Sequence, residues 1–253
     1  MKITIVIPCY NAIRTLKRAL DSAVSQGADE VLVIDDCSTD GSYELACRYE
    51  GVRVHRHAEK SNDWIRATEP IIEALNTDYV IGLAADDVLY PDMVRSVREA
   101  RLSAHFDAPG VIFCDFDYIA PSGKVIFTRR YCPQLIWMNP ERVRSWMGGD
   151  PRRYECGVGA AIRHDLLVWL QREDYASLGP WSDAWGYPLA AIRAGAVYVP
   201  GPLAGFTVDS ENPSYGERVR RDPAQCEKYH EAALRWLQRE NIKPYARGIK
   251  FGM

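Results

Sequence analysis

Three short clusters of chemistry-bearing residues stand early in the chain: Pro8-Cys9-Tyr10-Asn11, Asp35-Asp36-Cys37-Ser38-Thr39-Asp40-Gly41, and Ala84-Ala85-Asp86-Asp87. An aromatic ring such as Tyr10 suits the face of a planar base, and a carboxylate such as Asp36 can accept a hydrogen bond from a ring N–H. Carboxylates gathered in one place repel each other unless a cation or a hydrogen-bonding ligand joins them. Adjacent acids suit Mg²⁺ or Mn²⁺, hard ions that take one or two protein carboxylates and fill their other positions with water and phosphate oxygens. The chemistry this suggests is the holding of a diphosphate through a divalent ion. The plainer reading is that Asp86-Asp87 merely caps a helix beginning near Pro91.

These clusters act together only if the fold brings them to one edge. Short apolar, β-branched runs at Ile3 to Ile7, Val31 to Ile34, Val52 to His55 and Tyr79 to Leu83 read as strands covered on both faces. Between them, Leu16, Leu20, Ala23 and Val24 share a helical face that Gly27 closes. A second helix follows the cap-like Ser38-Thr39-Asp40-Gly41, a third spans Ile65 to Leu75, and a fourth runs from Pro91 to about Ala104. Alternating strand and helix predicts a largely parallel α/β sheet, whose ligands bind outside the carboxyl ends of the strands. Each cluster immediately follows a predicted strand, so the fold class itself predicts their convergence.

After that point the parallel pattern stops. A strand at Val111 to Phe116 turns through Pro121-Ser122-Gly123-Lys124 into Val125 to Thr128, and a loop-rich stretch with a short helix follows to Glu155. Helical patterns return at His164 to Arg172, Asp183 to Ala194 and Pro223 to Glu240, with a strand at Val197 to Val199. The chain has 253 residues, 47% hydrophobic and 26% charged, with a formal net charge of -3. That balance lacks the electrostatic footprint of a general nucleic-acid binder. Seven scattered cysteines without metal spacing read as reduced thiols of a cytoplasmic protein, and no apolar run is long enough for a transmembrane segment, leaving peripheral membrane contact open.

Taken in order, the motifs resemble those of the inverting family-2 glycosyltransferases with the GT-A fold. The resemblance is carried by Ile7-Pro8-Cys9-Tyr10-Asn11, Val33-Ile34-Asp35-Asp36-Cys37-Ser38-Thr39-Asp40-Gly41-Ser42, Ala85-Asp86-Asp87 followed by Tyr90-Pro91-Asp92, and Ser182-Asp183 ahead of a helix. It implies a glycosyltransferase domain over 1–210, with a Rossmann-like nucleotide-sugar-binding half over 1–105 and an acceptor-side half over 106–210. A helical and basic tail occupies 211–253. The expected donor is a nucleotide sugar, most simply a UDP-sugar carrying a hexose, and the acceptor is a carbohydrate or another hydroxyl compound, as in polysaccharide biosynthesis. By the resemblance, Pro8, Tyr10, Asn11, Asp35 and Asp36 lie at the nucleotide and Asp86 at the ribose or donor sugar. Asn62 and Arg66 are the candidates for an Arg-Asn pair beside the base. Asp87, with Asp86, holds the Mn²⁺ or Mg²⁺ ion.

Asp183 is the expected general base, because direct displacement at the anomeric carbon requires the acceptor hydroxyl to lose its proton as it attacks. A helix N-cap is the structural alternative, and the two roles are compatible. Three departures from the family pattern stand out: Ala84 where an acid is usual, Ser182 where Glu is frequent before the base, and Thr207-Val208-Asp209 where Arg-x-His is frequent. The tryptophans Trp137, Trp146, Trp181 and Trp185 offer an apolar platform for sugar rings, and Arg218, Arg220 and Arg221 a clamp over a diphosphate. A dehydrogenase is disfavoured because no Gly-x-Gly-x-x-Gly follows the first strand, and a P-loop enzyme because no Gly-Lys-Ser/Thr occurs. The reading from a different class is a non-catalytic nucleotide-sugar-binding scaffold.

Overall fold

A computed structural model describes residues 1–61, 63–104, 108–147, 158–173, 175–209, 211 and 222–239. The predicted alternation is realised as β1 (Ile3–Cys9), α1 (Leu16–Val24), β2 (Glu30–Asp35), α2 (Ser42–Ala46), β3 (Val52–Arg56), α3 (Trp64–Glu73) and β4 (Tyr79–Gly82). There follow β5 (Val88–Leu89), α4 (Met93–Ser103), β6 (Val111–Ile119), β7 (Val125–Arg129), β8 (Ile136–Met138) and α5 (Pro140–Met147). The described chain closes with β9 (Ala160–Arg163), α6 (His164–Arg172), a 3₁₀ segment (Tyr175–Trp181), α7 (Ser182–Ala194), β10 (Ala196–Thr207) and α8 (Pro223–Arg239).

One sheet runs through both halves in the order β3-β2-β1-β4-β9-β6-β10-β5, with β7 against β6 and β8 against β10. Strands β3, β2, β1 and β4 are parallel, as are β6 and β10, while β9 lies antiparallel between β4 and β6. Alternation along β1 explains the layering. Ile3, Ile5 and Ile7 pack with Leu16, Leu20 and Val94 on one face, and Val6 joins Ile72, Leu166 and Ala190 on the other. Covering both faces removes water from the parallel strands and accounts for their continuous apolar character.

Several boundaries differ from expectation for local physical reasons. Asp86-Asp87 does not cap a helix: β5 intervenes, and α4 begins at Met93 after Asp92 turns with φ 74. Strand β10 does not end at Val199 but continues through Pro200-Gly201-Pro202 to Thr207 with register shifts. The two prolines cannot donate to the ladder, and the freed Gly201 N–H is met instead by Asp115 Oδ2 at 3.0 Å. Strand β9 was not foreseen, being only four residues long. Among the described residues, no helix is long and apolar enough to cross a membrane. Cys9, Cys37, Cys47, Cys114, Cys132 and Cys226 are free, and Cys156 lies outside the described residues.

Candidate active site

The two loops that leave β1 and β2 are knitted together by the residues of the second motif. Asn11 turns with φ 48, a conformation Asn tolerates better than most residues. Its N–H donates to Ser38 Oγ at 2.9 Å and its side-chain oxygen accepts from the Thr39 N–H at 2.9 Å. The Ala12 N–H donates to Ser42 Oγ and the Ile13 N–H to Asp40 Oδ2, at 2.8 and 3.0 Å. Much of Ser38-Thr39-Asp40-Gly41-Ser42 thus serves to fix the floor of the site. Asn11 belongs to that floor, and Pro8 sits in β1 beside Ile34.

Asp35 is fully buried and accepts from the Ser38 N–H at 3.0 Å, with Arg56 Nε 3.4 Å from the same oxygen. Its Oδ1 is buried without a hydrogen-bond partner. Asp36 binds the β3–α3 loop: its Oδ1 accepts from the Ser61 N–H at 2.8 Å and lies 3.1 Å from His57 Nδ1, and its Oδ2 accepts from Ser61 Oγ at 3.0 Å. Burial pushes this carboxyl upward, but the Ser61 N–H, the His57 and Ser61 side chains and the Lys60 charge outweigh it and hold it below the usual carboxylate range. Tyr10 remains 46% exposed, with the Lys60 ammonium 4.3 Å from its ring centroid. The resulting corner presents an aromatic face beside a cation and a buried acid. Burial, and next the charge of Asp35, push the Cys9 thiol up to about 11, so it is no nucleophile at neutral pH.

Asp86 and Asp87 follow β4 on the same edge but face different surroundings. Asp87 is 2% exposed and its Oδ1 accepts from the Thr207 N–H at 2.8 Å, tying the acidic loop to the end of β10. Asp86 is partly exposed; burial raises its carboxyl above the usual range, the positive charge of Arg18 opposes that, and the charge of Asp209 adds to it. Ala84 is exposed and carries no donor. Thr207 and Arg18 were not anticipated: Arg18 Nη2 donates to the Asp86 carbonyl at 2.7 Å and to Thr207 Oγ1 at 2.8 Å. A guanidinium therefore reaches position 207 from α1, where the late motif lacks its arginine. No pattern in the sequence signals a pair 189 residues apart. Asp86 and Asp209, linked by the effect of the Asp209 charge on the Asp86 carboxyl, carry oxygen donors of the kind a hard divalent ion takes, although no group of three ligating side chains occurs among the described residues.

Asp183 is the second residue of α7, and its side chain lies outside the described set. The end of the sheet it stands at follows from topology. Strand β6 starts beside the last turn of α7, where the Gly110 N–H donates to the Gly195 carbonyl at 2.9 Å, and β6 runs in the same direction as β1 and β4. The N-terminus of α7 therefore lies toward the carboxyl ends of β1 and β4. Tyr187 confirms this direction, since a Cβ placed on Gly82 at the end of β4 would lie 3.4 Å from its hydroxyl.

Arg66 pairs with Asp63 at 3.1 Å and is 67% exposed, while Asn62 and Arg218, Arg220 and Arg221 lie outside the described residues. Trp146 packs against Phe113 at 5.9 Å and, with Trp185, joins the core on the α7 face, so these two serve as packing. Trp137 lies in β8, where it packs against the core on the other face, and the Trp181 side chain is outside the described set.

The family described as Glycosyl transferase family 2 matches residues 4–168, more than half of the chain. The chain belongs to this family. It is 31% identical over 178 residues to the uncharacterized glycosyltransferase YibD of Escherichia coli (strain K12), covering 66% of this chain and 50% of that one. The succinoglycan biosynthesis protein ExoO of Rhizobium meliloti (strain 1021) is 32% identical over 100 residues, covering 38% of this chain and 29% of that one. The chain thus spans half or less of these relatives. In fold it is similar to S. aureus TarS 1-349 in complex with UDP-GlcNAc, with TM-score 0.63, 14% identity, and coverage of 99% of this chain and 77% of that one. The mannosyltransferase PcManGT from Pyrobaculum calidifontis, in complex with GDP-Man and Mn²⁺, matches with TM-score 0.61 and 17% identity over 97% of this chain and 69% of that one. These likenesses establish the GT-A architecture of the chain.

Proposed function

We propose that this glycosyltransferase moves a hexosyl group from a UDP-sugar to a hydroxyl of a growing glycan, with inversion at the anomeric carbon. The observation that carries the reading is the convergence of Tyr10, Asp35, Asp36 and Asp86 with the head of α7 on one sheet edge. The UDP-GlcNAc complex of TarS supports a uridine donor, and ExoO's name supports polysaccharide synthesis. Tyr10 receives the base on its exposed face, and Asp36 holds the loop that closes beside it. In place of Asp87, the ligand expected from the resemblance, Asp86 with Asp209 holds the divalent ion, while Asp87 keeps the acidic loop against β10. When bound, that ion stabilises the negative charge of the leaving diphosphate. Asp183 takes the acceptor proton as its oxygen attacks, so no covalent intermediate on the protein is required.

NMR of the product from an α-linked donor is expected to show a β linkage. Asp183→Asn is expected to lower turnover by about 10²–10⁴-fold with donor affinity kept, the scale of general base catalysis. An α-linked product, or normal transfer by Asp183→Asn, overturns the assignment. The exposed Ala84, where the family usually has an acid, favours a second reading as a nucleotide-sugar-binding scaffold, for which neither form would turn over.

A further inference from the structure

One guanidinium joins three segments that are distant in sequence. Arg18, on α1, donates through Nη2 to the Asp86 carbonyl at 2.7 Å and to Thr207 Oγ1 at 2.8 Å. Through Nη1 it donates to the Pro121 carbonyl at 3.0 Å, at the turn between β6 and β7. The Thr207 hydroxyl donates to the same Asp86 carbonyl, while its N–H holds Asp87 at 2.8 Å. Donor-side loop, strand end and acceptor-side hairpin thus meet at a single side chain.

We propose that Arg18 is a positioning residue for the transfer reaction, fixing the Asp86 loop, the end of β10 that leads to Asp209, and the β6–β7 turn in one geometry. Docking of α1 does not explain it, because Leu16, Ala19, Leu20 and Ala23, each fully buried, already anchor that helix. The chemistry of the side chain does: a planar fork reaches several acceptors in fixed directions, whereas an ammonium on a flexible stem is a point charge. A charged donor on a backbone carbonyl next to a cation-holding acid orients that acid without competing for its oxygens. The inference rests on the reading of Asp86 as a ligand of the divalent ion.

Arg98 supplies the comparison. It too is a surface arginine bridging two segments, donating to the Gly27 carbonyl at 3.2 Å and to Asp29 Oδ2 at 2.8 Å. Those partners lie at the opposite edge of the sheet, where the Asp29 N–H meets the Ile3 carbonyl at the start of β1. Calorimetry of UDP with Mn²⁺, together with kcat and KM for UDP-GlcNAc hydrolysis, is measured for the wild type, Arg18→Ala, Arg18→Lys, Thr207→Val and Arg98→Ala.

Arg18→Ala is expected to weaken Mn²⁺-dependent UDP binding by roughly 10–100-fold, the scale of losing a partner that orients a metal ligand. Arg18→Lys should recover part of the loss, and Thr207→Val should fall between. Arg98→Ala is expected to lower the melting temperature with UDP binding unchanged. Unchanged affinity in Arg18→Ala overturns the inference, as does unchanged affinity in both Arg18→Lys and Thr207→Val should the alanine variant not fold. UDP binding by the wild type that is indifferent to Mn²⁺ overturns the reading of Asp86 and this inference with it. Metal-dependent wild-type binding with unaffected Arg18 variants overturns the inference alone.

Discussion

At the residue scale, two adjacent aspartates of identical chemistry stand in different surroundings. The Asp87 carboxylate is 2% exposed and accepts a backbone N–H from β10, whereas Asp86 is partly exposed and feels the charge of Asp209. Removing Asp87 leaves the buried Thr207 N–H unpaired, at a cost of about 1–3 kcal/mol. Asp87→Ala should therefore show a clearly lower melting temperature. Asp86→Asn, which removes charge at the partly open position, should fold normally and lose about 10²-fold or more in turnover, on the scale of one strong electrostatic stabiliser. Denaturation curves paired with donor hydrolysis at saturating Mn²⁺ check both. The reverse pattern, with Asp87→Ala stable but inactive, would move the ligand role to Asp87.

At the scale of elements, the loop between β3 and α3 is held by Asp36 through Ser61 and His57. Because the folded carboxyl titrates below its ordinary value of 3.8, the unfolded chain binds a proton more readily than the native state as pH falls through that range. The Asp36 contribution is complete above the unfolded value and is lost as pH falls through the folded one. Asp36→Asn should remove that acid dependence, so its stability at pH 7 falls while the wild-type advantage narrows toward pH 3. Hydrogen exchange of the Ser61 amide should accelerate in the variant at neutral pH. A Ser61 amide equally protected in both forms would show that the loop is held by other contacts.

For the whole molecule, one sheet joins a parallel first half to a mixed second half, and cores on both faces cross that junction. Val6 and Phe113 share one core, and Ile7 and Cys114 the other. A ligand on the shared edge therefore stabilises the entire fold by mass action. UDP at a hundred times its Kd should add about 2.7 kcal/mol. For a chain of this size that corresponds to a rise in Tm of about 5–10 °C. Thermal unfolding with UDP, with and without Mn²⁺, measures it. A rise that survives excess chelator would remove the ion from donor binding.

The local part of this protein is readable from its residues alone. Period, β-branched composition and turn residues are properties of neighbouring residues, so β1 to β4, the helices between them and the acidic strand ends were all legible. So was the family, since its motifs are short segments in a fixed order. Strand β5 was too short to announce itself, and the prolines at 200 and 202 disguised a strand that continues through a bulge stabilised by Asp115, from another element. Only tertiary structure separated Asp86 from Asp87, committed Asp36 to the Ser61 loop, and brought Arg18 to Thr207. Burial and hydrogen-bond partners depend on what the folded chain places beside a residue, and for Arg18 and Thr207 that neighbour is 189 residues away.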